Sequence, residues 1–219
     1  MSSGRFPSGA ETARIGPNAV IQLGEALLAR GERGLAREVY LAAGCPGWLD
    51  QPPGAMISEL DVARLHRALA RLVPADRCAE IAAEAGDRTG GYILANRIPK
   101  AARSVLSVLP VPIAARLLVK SIATHSWTFA GSGVFSYRPG RPLIVEIAGN
   151  PLAGEPRDAP GCVWHTAVFR RLFRVLVQPD AQVCETACCA AGDSACRFEI
   201  SWTVRLERLC RWVSRRVAS

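Results

Sequence analysis

Lysine is nearly missing. Lys100 and Lys120 are the only two among 27 basic residues, so arginine supplies almost all of a formal net charge of +8. Scarce lysine beside abundant alanine and arginine is what a GC-rich genome produces, and a net positive field attracts nucleic acid, anionic lipid and carboxylate ligands alike. Nucleic acid is disfavoured on pattern, because no helix-turn-helix, zinc-finger or aromatic RNA-binding signature accompanies the charge. An unbroken apolar run is missing too. The most apolar stretch, Ser104 to Ala123, is interrupted by Pro110, Pro112, Arg116 and Lys120, which argues against a membrane span. The first residues, MSSGRFPSGAETARIG, hold no apolar segment that reads as a secretory signal. The expected location is therefore cytoplasmic, with peripheral contact to a membrane surface as an option. Its 8 cysteines are then expected as metal ligands or free thiols rather than disulfides. Redox-cofactor motifs are absent as well. GDRTGG, Gly86 to Gly91, falls in a helical context and lacks the dinucleotide-binding pattern, and there is no ferredoxin-like cysteine run. No catalytic residue is assigned.

What is present indicates a folded domain. Hydrophobic residues make up 49% of 219 positions and mean hydropathy is +0.14, enough for one sizeable core. The first half has helix-forming composition over Asn18 to Arg30, Gly34 to Ala43 and Pro74 to Leu94. Between them, Ser58 with Asp61 predicts a capped start for a helix carrying Leu60, Leu65, Leu69 and Leu72. Pro110-Val111-Pro112 opens another, ending near Thr124. Then the pattern changes. Trp127 to Tyr137 and Pro142 to Ile147 read as strands around the turn Arg138-Pro139-Gly140. A polar loop, Gly149 to Gly161, precedes a helix from Cys162 to Val177 with Trp164, Val168, Leu172, Val175 and Leu176 as its apolar stripe. Gln182 to Ala190 and Ala195 to Val204 form a predicted hairpin. The fold class is α+β: a helical half (1–124), a small antiparallel sheet with packed helices (125–204) and a basic tail (205–219), expected as one compact unit. In the tail, Arg205, Arg208, Arg211, Arg215 and Arg216 surround Leu206, Leu209, Val213 and Val217. Such a stretch suits anionic lipid or a partner protein, or packs on its own domain.

CETACCAAGDSAC, Cys184 to Cys196, concentrates half of the cysteines. A hairpin would bring Cys188 and Cys196 together across the turn, Glu185 would join them if the strand kinks, and Cys162 opens the helix expected to pack there. Thiolates with one carboxylate satisfy tetrahedral zinc. Small, soft cysteines that simply fill core space are the alternative, and spacing alone leaves both open.

The segment from Gly161 to Ile200, with Glu-x-x-Cys, a small-residue Gly-Asp turn and then Cys-x-Phe, resembles the 4-vinyl-reductase-type domain. The resemblance implies a small-molecule pocket between helices and sheet, and a structural zinc held by Cys162, Glu185, Cys188 and Cys196. The whole chain is similar in length and character to the bacteriochlorophyll-biosynthesis members of that family. That similarity implies a magnesium tetrapyrrole (a magnesium porphyrin) as ligand, and pathway enzymes such as magnesium chelatase or the following methyltransferase as partners. A monomer and a homodimer fit equally well.

The family name denotes reduction of a vinyl group, which needs a hydride or electron source. Zinc supplies neither. A tetrapyrrole-binding protein that holds or presents a pathway intermediate is therefore favoured. The alternatives are a divinyl (proto)chlorophyllide 4-vinyl (8-vinyl) reductase and a small-molecule sensor or scaffold. Candidate ligand-binding residues are His125, as an axial magnesium ligand, with Trp127, Phe129, Phe135 and Tyr137 as apolar walls. The glycines of Ala130 to Gly133 would let a ring approach the backbone. An ordinary core strand and a hydrogen-bonded structural histidine explain the same residues without a ligand.

Overall fold

Caps and breaks in the sequence set the helical half, which the computed structural model describes together with the sheet over residues 13–154 and 161–202. Strand β1 (Arg14–Ile15) leads into α1 (Asn18–Ala29) and α2 (Arg33–Ala42). A short 3-10 turn at Pro46–Leu49 follows, and then β2 (Ile57–Ser58), antiparallel to β1. The Ser58 hydroxyl accepts from the Leu60 amide at 3.2 Å, so α3 (Glu59–Leu72) starts at its expected cap. Its buried stripe is Val62, Leu65 and Leu69, while Leu60 and Leu72 are exposed. At about 100° per residue, Leu60 lies some 140° around the helix from Leu65, outside the core-facing face.

Helices α4 (Ala75–Asn96), α5 (Lys100–Val108) and α6 (Val111–Thr124) complete the half, each begun after a proline. α5 has no counterpart in the sequence-based expectations: its Lys-Ala-Ala-Arg-Ser start carries no apolar periodicity, and none of its residues is fully buried. The expected strand from Trp127 is corrected as well. Trp127–Ala130 forms one helical turn, α7, and the strand β3 covers only Val134–Arg138. Gly131, at φ 57°, reverses the chain between them.

β3 pairs with β4 (Leu143–Ala148), which pairs with β6 (Ala195–Ser201), with β5 (Gln182–Ala187) on the far edge; every pairing is antiparallel. Helix α8 (Val163–Leu176) packs on α4 and β5. Trp164, His165, Ala167, Val168, Phe169, Leu172, Phe173 and Leu176 are its buried residues, and Val175 is exposed rather than part of the stripe. A single apolar cluster runs from α1 through α8 to the sheet.

The seam between α4 and α8 explains GDRTGG. A Cβ on Gly86 would meet the Trp164 carbonyl oxygen at 2.4 Å, and one on Gly90 would meet the Arg171 side chain at 2.7 Å. These glycines let two helices touch backbone to side chain, and α8 in turn positions the site described next. The predicted strand residues 203–204, the basic tail and residues 155–160 of the polar loop lie outside the described residues.

Candidate metal centre

Three segments converge at the end of the sheet. β6 delivers Cys196, opposite Ile147 of β4. β5 delivers Glu185 and, just past its end, Cys188. In a regular strand residues three apart point to opposite faces. Here the β5–β6 register shifts between Glu185 and Ala187, and the extra residue turns Glu185 and Cys188 to the same side. That bulge is the kink the sequence reading required. Gly192, at φ 91°, closes the hairpin. Cys162 comes from the other layer, as the residue that precedes α8.

The four ligand atoms lie within 4.8 Å of one another, and all four residues are buried. Cys162 Sγ is 3.6 Å from Cys188 Sγ and 3.4 Å from Cys196 Sγ, and the last two are 3.8 Å apart. Disulfide sulfurs sit about 2.05 Å apart, so no two of these are bonded. A tetrahedron with metal–sulfur bonds of about 2.3 Å has sulfurs about 3.8 Å apart, close to what is seen. Core filling does not account for the carboxylate. Glu185 Oε2 accepts from the Cys162 amide at 2.6 Å, whereas Oε1 is buried with no hydrogen-bond partner. An isolated buried carboxylate oxygen is costly, and a cation beside it removes the cost. Three sulfurs and one such oxygen fit a divalent ion.

Electrostatics agree. Hydrogen bonds from Cys162 and Cys196 hold the Cys188 thiol far below the ordinary cysteine range, with the Gly161 and Ala190 amides adding to them. Hydrogen bonding to Cys188 drives Cys162 far up. Burial, then the neighbouring Cys188 charge, pushes Glu185 up to about 8. Packed without a cation, the four groups can carry little negative charge between them; a bound divalent ion would let all of them ionise.

The surrounding donors aim at sulfur. Asn150 Nδ2 donates to Cys162 Sγ at 3.6 Å and Cys196 Sγ at 3.4 Å, while its Oδ1 accepts from the Leu152 amide at 3.0 Å. The Cys189 amide donates to Cys196 Sγ at 3.4 Å, and Asp193 accepts from the Cys188 amide at 2.8 Å. Such contacts orient ligands and stabilise thiolate charge. Asn150 was missed in the sequence, where it reads as a loop residue; its buried position two residues past β4 emerges only from the β4–β6 register. Cys189 is partly buried beside the four-residue group. Cys184 is buried outside it and is disulfide-bonded, which corrects the expectation that every cysteine is a ligand or a free thiol.

The candidate ligand-binding residues divide into two sets. His125 and Trp127 are exposed at the end of α6 and on α7. His125 Nδ1 is 2.9 Å from the Ser121 carbonyl oxygen, which only accepts, so Nδ1 carries the proton and Nε2 presents a lone pair. Phe129, Phe135 and Tyr137 are partly buried against the core. Phe129 stacks edge-on with Phe135 at 5.7 Å and lies 6.3 Å from His165. Glu59 takes the space above Gly131: a Cβ there would meet its Oε2, which accepts from the Ser132 amide at 2.7 Å. The protein itself, not an open ring site, uses that glycine.

The family model of the 4-vinyl-reductase-type domain matches residues 143–201, a span that contains all four ligand candidates. Over 188 residues the chain is 50% identical to the bacteriochlorophyll synthase 23 kDa chain of Cereibacter sphaeroides, covering 85% of this chain and 90% of that protein. A protein of the same name from Rhodobacter capsulatus is 40% identical over 188 residues, covering 84% and 85% respectively.

Proposed function

We propose a function from one premise: the chain belongs to the family of the bacteriochlorophyll synthase 23 kDa chain. It acts in bacteriochlorophyll biosynthesis by binding a magnesium tetrapyrrole intermediate and presenting it to pathway enzymes such as magnesium chelatase or the following methyltransferase. The observation that carries the pathway assignment is 50% identity extending over 90% of a relative of that name.

The assigned ion is zinc, held by Cys162, Glu185, Cys188 and Cys196. Three thiolates and one carboxylate complete its coordination, which leaves no position for substrate, and its contribution is to fold stability. The residues around it exclude water and fix the sulfurs; none is placed to pass electrons to an alkene.

For the pigment, support comes from His125 and Trp127. A histidine whose Nδ1 is engaged by backbone offers Nε2 as an axial ligand, two residues from an indole that is 59% exposed. Phe129, Phe135 and Tyr137 back that face from the core. Titrating the protein with magnesium protoporphyrin should shift its Soret band and quench tryptophan emission. His125→Ala should abolish the shift while leaving the fold intact. An unperturbed spectrum at high protein concentration would reject pigment binding, and loss of the vinyl group in the presence of a reductant would favour the reductase reading instead.

A further inference from the structure

α5 and α6 carry a surface chemistry that neither the metal centre nor the pigment face uses. On α5, Val105 and Val108 are 53% and 80% exposed; on α6, Ile113 and Leu117 are 47% and 46% exposed. Ile113, Arg116, Leu117 and Lys120 recur at i, i+3, i+4 and i+7, so aliphatic and cationic side chains share one outward stripe of α6. Charge here is one-sided. Between Asp87 and Glu146 the sequence contains no carboxylate side chain. Arg97, Lys100, Arg103, Arg116, Lys120 and Arg141 all fall in this segment and form no ion pair among the described residues. A cleft of about 170 Å³ borders the start of α6, lined by Pro112, Arg116, Arg141, Leu143 and Trp202 among others, and it brings two of those unpaired guanidinium groups to one place.

We propose that the α5–α6 hairpin docks the chain on an anionic phospholipid surface. The aliphatic side chains enter the headgroup–acyl boundary, and the cations, including the Arg116–Arg141 cleft, receive lipid phosphates. Amphipathic helices with interleaved basic residues bind such surfaces through buried apolar area plus attraction to anionic headgroups. A fluid lipid surface adapts to cations spread along two helices, whereas a folded acidic partner needs carboxylates at fixed matching positions. No helix among the described residues is long and apolar enough to cross a membrane, so the contact is peripheral.

The test is co-sedimentation of the full chain with vesicles of phosphatidylcholine alone and of phosphatidylcholine mixed with phosphatidylglycerol. The protein should pellet only with the mixed vesicles, and less as salt rises. Arg116→Gln and Lys120→Gln should each weaken partitioning about fivefold, and Ile113→Ser with Leu117→Glu should abolish it. All these positions are exposed, and an unchanged melting temperature would show that the fold is retained. The C-terminal arginines stay intact in every variant. Undiminished pelleting of the variants would therefore assign binding to the tail and overturn the proposal. Equal pelleting with both vesicle types, or none with either, which would leave the patch to an acidic protein, overturns it too.

Discussion

Cys188 makes the sharpest case at the scale of single residues. It touches both other thiols of the cluster, and its amide is held by Asp193. Cys188→Ser replaces a soft ligand by a hydroxyl that does not ionise near neutrality, so bound zinc should be lost and the melting temperature should fall by several degrees. Metal content together with a thermal melt checks this. Cys78→Ser, on α4 and outside the cluster, should retain the metal. His165 gives a pH signature. It is 2% exposed, and burial, with the nearby His66 adding to it, lowers its pKa to about 3 from an ordinary 6.5. The folded state keeps the ring neutral while the unfolded chain takes up a proton below about 6.5, so stability is lost as pH falls from 6.5 toward 3. The slope is at most about 1.4 kcal/mol per pH unit for this group. His165→Phe, set among Phe129, Phe169 and Phe198, should flatten the difference curve in that window when denaturant melts are compared with wild type. A parallel pair of curves would exclude His165 as the source.

At the scale of elements, legibility followed local chemistry. Ser58, the prolines before α4 and α6, and the Gly192 turn were readable because a cap, a fixed φ and a positive φ each act within a few residues. The ligand set was readable because Glu185, Cys188 and Cys196 lie on one hairpin. Cys162 needed the family resemblance, since nothing nearby in sequence brings it to that hairpin. α5 and the shortened β3 escaped because their conformation depends on packing: Leu106 anchors an otherwise exposed helix, and Glu59 claims the loop after α7 from across the chain. Asn150 escaped for the same reason. The α4–α8 seam yields a paired prediction. Gly86→Ala places a methyl against the Trp164 backbone and should cost about 1–3 kcal/mol. Gly91→Ala on the same helix meets nothing within 4 Å and should stabilise by up to about 1 kcal/mol through helix propensity alone. Denaturant midpoints of the two variants should move in opposite directions; a shared direction would mean the seam does not need its glycines.

At the scale of the molecule, one site joins the two layers. α8 is held on one side by α4 and the helical half, and on the other by Cys162, whose sulfur and amide both engage the β5–β6 hairpin. An ion at that junction ties the hairpin to the helical half through a single rigid element. Removing it with a strong chelator should lower the melting temperature of the whole chain rather than loosen one edge, and zinc should restore it. The pigment face at His125 and the basic hairpin of α5 and α6 lie away from this clamp in sequence, on segments that contribute none of its ligands. Loss of zinc should act on them through stability and not through direct contact.

The central claim is a divalent ion held by Cys162, Glu185, Cys188 and Cys196, and elemental analysis of the purified full chain tests it most directly. The account predicts about one zinc per chain, falling to background in Cys188→Ser. A wild-type chain that is folded and free of metal, or a Cys188→Ser variant that keeps its zinc, would contradict it.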